Sequence, residues 1–149
     1  MELEDKLNSL EKRQGEFRDK SIAIINSSLS IIQEELMRLG DLALLYRRMG
    51  KLTIKENDIA SKDINGKPVK CVLGEYRIRL EPSIDPTNVF DVKWYANNIY
   101  EIRNFIKETA DGIKKLIKEE LIKRENKLKE EYDDLTPEMV LERLKGGKA

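Results

Sequence analysis

An apolar stripe through the first third of this chain limits its possible folds more than any other feature. Its eight positions alternate spacings of three and four residues, the period of one helix face. They are Ile22, Ile25, Leu29, Ile32, Leu36, Leu39, Ala43 and Tyr46. Gly50 follows, and glycine commonly ends a helix. The pattern predicts one long helix over about residues 2–49.

Before this stripe, Leu3, Leu7 and Leu10 form a shorter one, which Gln14 and Phe17 continue. The apolar face shifts by about one residue after Gly15, the drift of a straight helix against a heptad grid.

The apolar face of this helix is wider than a coiled-coil seam, so more than one neighbour should cover it. Small side chains around Ser28 would also allow close approach of a second helix, either within the fold or between subunits. The interface candidates are Ile24, Ser28, Ile31, Leu42, Leu45 and Met49.

The helical period is lost over about residues 51–82, where two turn signals predict a small antiparallel β insert, a hairpin or meander. Asn65-Gly66 suits a two-residue hairpin turn, and Gly74-Glu75 suits a type II′ turn. The second turn would pair Leu73 with Tyr76, Cys71 with Ile78 and Val69 with Leu80. All of these side chains are apolar, so turn chemistry and burial favour the same register.

A second long helix is predicted over about residues 88–132, and a short C-terminal helix over about 137–145. Thr136 is a suitable N-cap for the short helix, and Pro137 suits its first position. The predicted fold is α+β and mainly α, with two long antiparallel helices joined by the β insert. One domain, 1–149, is expected.

The predicted register places Lys70 opposite Arg79, and like charges in that position destabilise a strand pair. Residues 47–80 carry nine basic and four acidic side chains, although the whole chain is neutral. Either this surface meets a polyanion, or its cations protect an edge strand from aggregation. The candidate cations are Arg47, Arg48, Lys51, Lys55, Lys70, Arg77 and Arg79, with Trp94 as a possible base-stacking residue.

Catalysis is not expected, because the chain has no histidine, the commonest general base and transition-metal ligand. Cys71, the single cysteine, lies on the apolar face of the predicted hairpin and is interpreted as a core residue. No cofactor, metal site or membrane span is predicted. A single cysteine and an acidic start indicate a cytoplasmic protein, and the excess of Lys and Glu over Gln and His resembles thermophile proteins.

These features predict a non-enzymatic helical interaction or assembly protein that self-associates or binds a protein partner through its apolar helical face. The alternative is a nucleic-acid-binding or regulatory factor that uses the basic insert, residues 47–80.

Overall fold

The computed structural model describes residues 1–132 and 136–146. Its elements are α1 (Glu2–Arg48), β1 (Asn57–Ile64), β2 (Lys67–Leu73), β3 (Ile78–Glu81), α2 (Val89–Asn97), α3 (Ile99–Tyr132) and α4 (Pro137–Gly146). The strands form one antiparallel sheet in the order β1-β2-β3. The predicted α+β, mainly α fold with a small antiparallel sheet is therefore confirmed.

The chain divides into two compact units, Met1–Ile113 and Lys114–Ala149. The first holds α1, the sheet, α2 and the start of α3. The second holds the rest of α3, together with α4. The expectation of one domain stays a prediction.

The first hairpin has the predicted turn. Asn65 and Gly66 both adopt positive φ, 48° and 86°, and Ile64 pairs with Lys67 across them. Because glycine has no Cβ, and asparagine tolerates the left-handed region better than most residues, this dipeptide fixes the turn locally.

The predicted register of the second hairpin is wrong by two residues. Leu73 pairs with Ile78, and Cys71 pairs with Leu80. A type II′ turn needs positive φ at its first central residue, and Gly74 does not adopt it. Residues 74–77 instead form a four-residue connection closed by a hydrogen bond from Gly74 N to Arg77 O, 2.8 Å long.

The predicted helix over 88–132 is interrupted at Asn98, which separates α2 from α3. Asn98 is buried, and its side-chain amide donates to the carbonyl oxygen of Trp94. Its side-chain oxygen accepts a hydrogen bond from Asn65 in the β1–β2 turn. Asparagine side chains compete with the helical backbone in this way, so a tertiary contact stabilises the break.

Two ion pairs join α1 to α3, and their order corrects the antiparallel arrangement predicted for the helices. Arg103 Nε lies 3.0 Å from Glu35 Oε1, and Arg38 Nη2 lies 2.7 Å from Asp111 Oδ1. Moving towards the C-terminus of α1 thus corresponds to moving towards the C-terminus of α3. The two helices run parallel there, because a three-stranded insert reverses the chain once more than a two-stranded hairpin would.

The core of the first unit lies between α1, the sheet, α2 and α3. Its largest fully buried apolar side chains are Ile32, Leu39, Ile64, Leu73, Ile102 and Ile106. On α1 the core also buries Ser21 and Ser28. Ile22 and Leu29, predicted to face inward, are 38% and 41% exposed. α1 packs closely against α2, and small side chains allow such an approach.

Candidate interaction surface

Residues 2–20, the first nineteen of α1, contain no buried side chain. Leu3 is 74% exposed, Leu7 53%, Leu10 54% and Phe17 37%. With Gln14 between them, these residues follow one another at spacings of four and three. We call Leu3, Leu7, Leu10, Gln14 and Phe17 the exposed seam.

The exposed seam continues in line with the face of α1 that enters the core. Four residues after Phe17 comes Ser21, and seven residues later comes Ser28, both buried. No shift after Gly15 is needed, which corrects the sequence interpretation. One heptad register therefore covers residues 3–28, and the members of it that are buried within the first unit are Ser21 and Ser28.

This geometry leaves an unfavourable surface exposed to water. Fully burying a leucine side chain is worth about 1.5–3 kcal/mol, and Leu7 and Leu10 each keep more than half of their surface exposed. Most of the stability of helices in proteins comes from packing of an apolar face, which this segment lacks within the first unit. An apolar heptad stripe on such a segment favours pairing with a second helix.

An open cavity of about 540 Å³ lies at the junction between the exposed seam and the folded part of the first unit. Gln14 and Phe17 line it on α1, and Thr87 lines it from the loop before α2. A helix lying along the exposed seam would pass this cavity.

The six interface candidates from the sequence fall into different environments. Ser28 is buried within the fold, whereas Ile31, Leu42 and Met49 are half-buried. Ile24 and Leu45 are exposed. Ile24 and Ile31 follow Phe17 at seven-residue intervals, so they extend one edge of the exposed seam beside the core.

The predicted opposition of Lys70 and Arg79 in the insert is wrong. Lys70 lies opposite Glu81, and Arg79 lies opposite Val72. Lys70 Nζ is 3.6 Å from Asp58 Oδ2. The like-charge pair that motivated the polyanion hypothesis is therefore absent.

Arg79 is held between two carboxylates. Its Nη2 lies 2.6 Å from Glu56 Oε1 and 2.9 Å from Glu81 Oε1. The hydrogen bonds to Glu56 and Glu81 raise the pKa of Arg79 above its ordinary value. The guanidinium thus stabilises the local structure.

Arg47 has a structural role as well, because it donates to the carbonyl oxygens of Glu75 and Lys55 at 2.9 and 3.0 Å. These bonds attach α1 to the β2–β3 connection and to the segment before β1. The other candidate cations, Arg48, Lys51, Lys55 and Arg77, have exposed side chains.

Trp94, the stacking candidate, is half-buried, and Lys67 Nζ lies 5.2 Å from the centroid of its ring. The same ammonium group lies 2.7 Å from Asp91 Oδ1. This is the geometry of a cation–π contact within the fold. Lys67 therefore covers one face of the ring.

Cys71 is fully buried, and burial raises the pKa of its thiol to about 12. Because the thiolate is the reactive form, this thiol is suited to packing. Within residues 1–132 and 136–146, no group of three or more metal-ligating side chains lies close enough together to hold an ion.

Glu35 is the α1 acid in one of the two ion pairs between α1 and α3. Burial alone would raise its pKa, but a hydrogen bond from Arg103 and the positive charges of Arg103 and Lys107 outweigh this effect. The pKa of Glu35 therefore lies below its ordinary value, and the ion pair is present at neutral pH.

The second unit also exposes apolar side chains. On α3, Leu121, Leu128 and Tyr132 are each more than half exposed. In α4, Val140, Leu141 and Leu144 are exposed, and the described part of this helix buries no residue. Within the described part of the chain, no helix combines the length and the apolar content needed to cross a bilayer.

Comparisons with protein-family models, with curated proteins and with solved structures found no match to this chain.

Proposed function

We propose that this chain is a non-enzymatic assembly protein that self-associates through the exposed seam of α1. One observation carries the proposal. The heptad stripe that enters the core at Ser21 and Ser28 extends through residues 3–17, where nothing in the first unit buries it. A second copy supplies an identical amphipathic helix, so the surface can be covered by its own counterpart.

The charges beside the exposed seam support a coiled-coil partner. Glu4 and Glu11 follow Leu3 and Leu10 directly, and Lys6 and Arg13 precede Leu7 and Gln14. Charged residues in these flanking positions form contacts between helices in coiled coils. They also confine the apolar surface to the width of one seam.

The buried thiol of Cys71 and the absence of histidine from the sequence support a function without catalysis. The nucleic-acid alternative stays a prediction. Its premise, a destabilising pair of opposed cations, is replaced by ion pairs of Lys70 and Arg79 with Asp58, Glu56 and Glu81.

The test replaces two residues of the exposed seam with glutamate. Leu7→Glu/Leu10→Glu places charges on the seam, so this variant should elute as a monomer by size exclusion with light scattering. Asn8→Glu/Ser9→Glu is the matched control, because it adds the same two charges outside the stripe. Both variants should keep the circular dichroism of the folded unit.

Two results would refute the proposal. One is that the unmodified chain is monomeric at every micromolar concentration measured. The other is a seam variant with the same molar mass as the unmodified oligomer.

A further inference from the structure

We infer that the association is a two-stranded parallel coiled coil in which the two α1 helices lie in register. The inference rests on the proposed function, because it specifies how a second copy covers the exposed seam. The two positions of the heptad that form the seam are called a and d. Leu7 and Gln14 occupy a, and Leu3, Leu10 and Phe17 occupy d.

The flanking heptad positions, e and g, carry the orientation signal. Glu4, Glu11 and Arg18 occupy e, directly after the d residues. Lys6, Arg13 and Lys20 occupy g, directly before the a residues, and all three are basic. Contacts between these positions set the orientation of paired helices.

In a parallel pair, each g residue faces the e residue five positions further along the other helix. Lys6 then faces Glu11 of the second copy, which is attractive. Arg13 faces Arg18 of the second copy, which is repulsive. Two-fold symmetry doubles both contacts, so attraction and repulsion balance.

In an antiparallel pair, g faces g and e faces e. With Leu7 facing Phe17 across the seam, Lys6 faces Lys20 twice and Arg13 faces Arg13. Glu11 also faces Glu11, and only the two Glu4–Arg18 contacts are attractive. Like-charge contacts outnumber attractive ones, so the charges favour the parallel arrangement.

The same flanking residues indicate two strands. A third or fourth helix would have to pack against e and g, and these positions hold charged side chains from Glu4 to Lys20. The apolar strip is limited to a and d, the width of a two-stranded seam. Gln14 places one polar group at an a position, and a polar residue there favours a single register.

Single cysteines test the orientation. In a parallel pair in register, each residue meets its own counterpart, so Leu3→Cys, Leu10→Cys and Phe17→Cys should all form disulfide-linked dimers on mild oxidation. In the antiparallel alignment described above, residue 3 lies about 27 Å from its counterpart and residue 17 about 15 Å, at 1.5 Å per residue. Residue 10 lies about 6 Å along the axis from its counterpart, so Leu10→Cys would then be cross-linked more slowly than in the parallel pair, and Leu3→Cys and Phe17→Cys would not be cross-linked.

Two controls set the background. The unmodified chain has one cysteine, Cys71, and its thiol is buried. Lys12→Cys places a thiol on the side of α1 away from the seam, and the three seam cysteines should cross-link at least about tenfold faster because of their high effective concentration. Light scattering on each reduced variant reports whether it associates.

Cross-linking at all three positions supports the inference. Chains that still associate but cross-link at Leu10→Cys alone, or at none of the three positions, overturn the parallel orientation and leave the proposed function standing. A cross-linked species of three or more chains overturns the two-stranded state. If the reduced variants and the unmodified chain are all monomeric, both proposals are overturned.

Discussion

Arg18→Glu provides a test in which the sign of the effect reports the geometry. In the parallel pair, Arg18 faces Arg13 of the second copy, and two such contacts exist by symmetry. The substitution converts both like-charge contacts into opposite-charge contacts. The variant should therefore dimerise more tightly than the unmodified chain.

The size of the effect follows from the exposure of these side chains. Arg13 and Arg18 are both exposed, and an exposed ion pair contributes about 0.3–0.5 kcal/mol, with a similar cost for a like-charge pair. Each contact should change by about 0.6–1 kcal/mol, and two contacts by about 1.2–2 kcal/mol. The dissociation constant should fall about 8- to 30-fold at low salt.

Sedimentation equilibrium at about 50 mM and 1 M salt measures the effect, which should shrink at the higher concentration because these charges are screened. Arg18 has no charged neighbour three or four residues away on α1, so no intrahelical pair obscures the result. Lys12→Glu makes the same change of charge away from the seam and should not tighten the dimer. A weaker Arg18→Glu dimer would refute the reasoning, because an antiparallel pair places Arg18 against Glu4.

Two further predictions concern the folded unit. Gly40→Ala should raise the free energy of unfolding by about 0.5–1 kcal/mol, since alanine is the better helix residue and its Cβ would lie an ordinary 3.5 Å from Ile78 Cγ2. Gly50→Ala should lower the free energy of unfolding by about 1–2 kcal/mol, because Gly50 has φ +80°. Chemical denaturation measures both variants, and a Gly50→Ala chain more stable than the Gly40→Ala chain would contradict this account of packing. Cys71 should react with a thiol reagent at pH 8 only as fast as the chain unfolds, because its buried thiol has a pKa raised to about 12, and prompt labelling of the native chain would contradict its burial.

The sequence was sufficient to predict those elements that a local residue pattern determines. The three-and-four spacing predicted α1 to within a residue of its observed end, Arg48. The Asn65-Gly66 dipeptide predicted the first hairpin turn, because few residues adopt positive φ at low cost. The fold class followed from these two signals together.

The register of the second hairpin could not be predicted from the same rules. Shifting a strand by two residues keeps every side chain on its original face. Cys71 and Leu73 are therefore buried in either register, and the apolar pattern does not distinguish them. Gly74 is compatible with several turn types, and the observed connection does not use positive φ.

The opposition of Lys70 and Arg79 was mispredicted for a related reason. The basic segment was counted up to residue 80, one position before Glu81, which lies opposite Lys70 and binds Arg79. Glu56, the other partner of Arg79, lies just before β1 and is distant in sequence. Counting charges along a segment does not show which acids the fold brings beside it.

The exposed seam was visible in the sequence only in part. The spacing of Leu3, Leu7 and Leu10 indicated a helix face, but a buried and an uncovered face have the same pattern. Ser21 and Ser28 carry no hydrophobic signal, so the continuity of the stripe into the core was missed. Their burial depends on the tertiary packing of α1, which the hydrophobic pattern of the sequence does not show.

The central claim is that a second copy of this chain covers residues 3–17 of α1. Sedimentation equilibrium of the unmodified chain over micromolar concentrations tests it most directly. We predict a measured molar mass equal to that of two 17.3 kDa chains, with dissociation into single chains only on dilution. A mass of one chain at every concentration would contradict the claim.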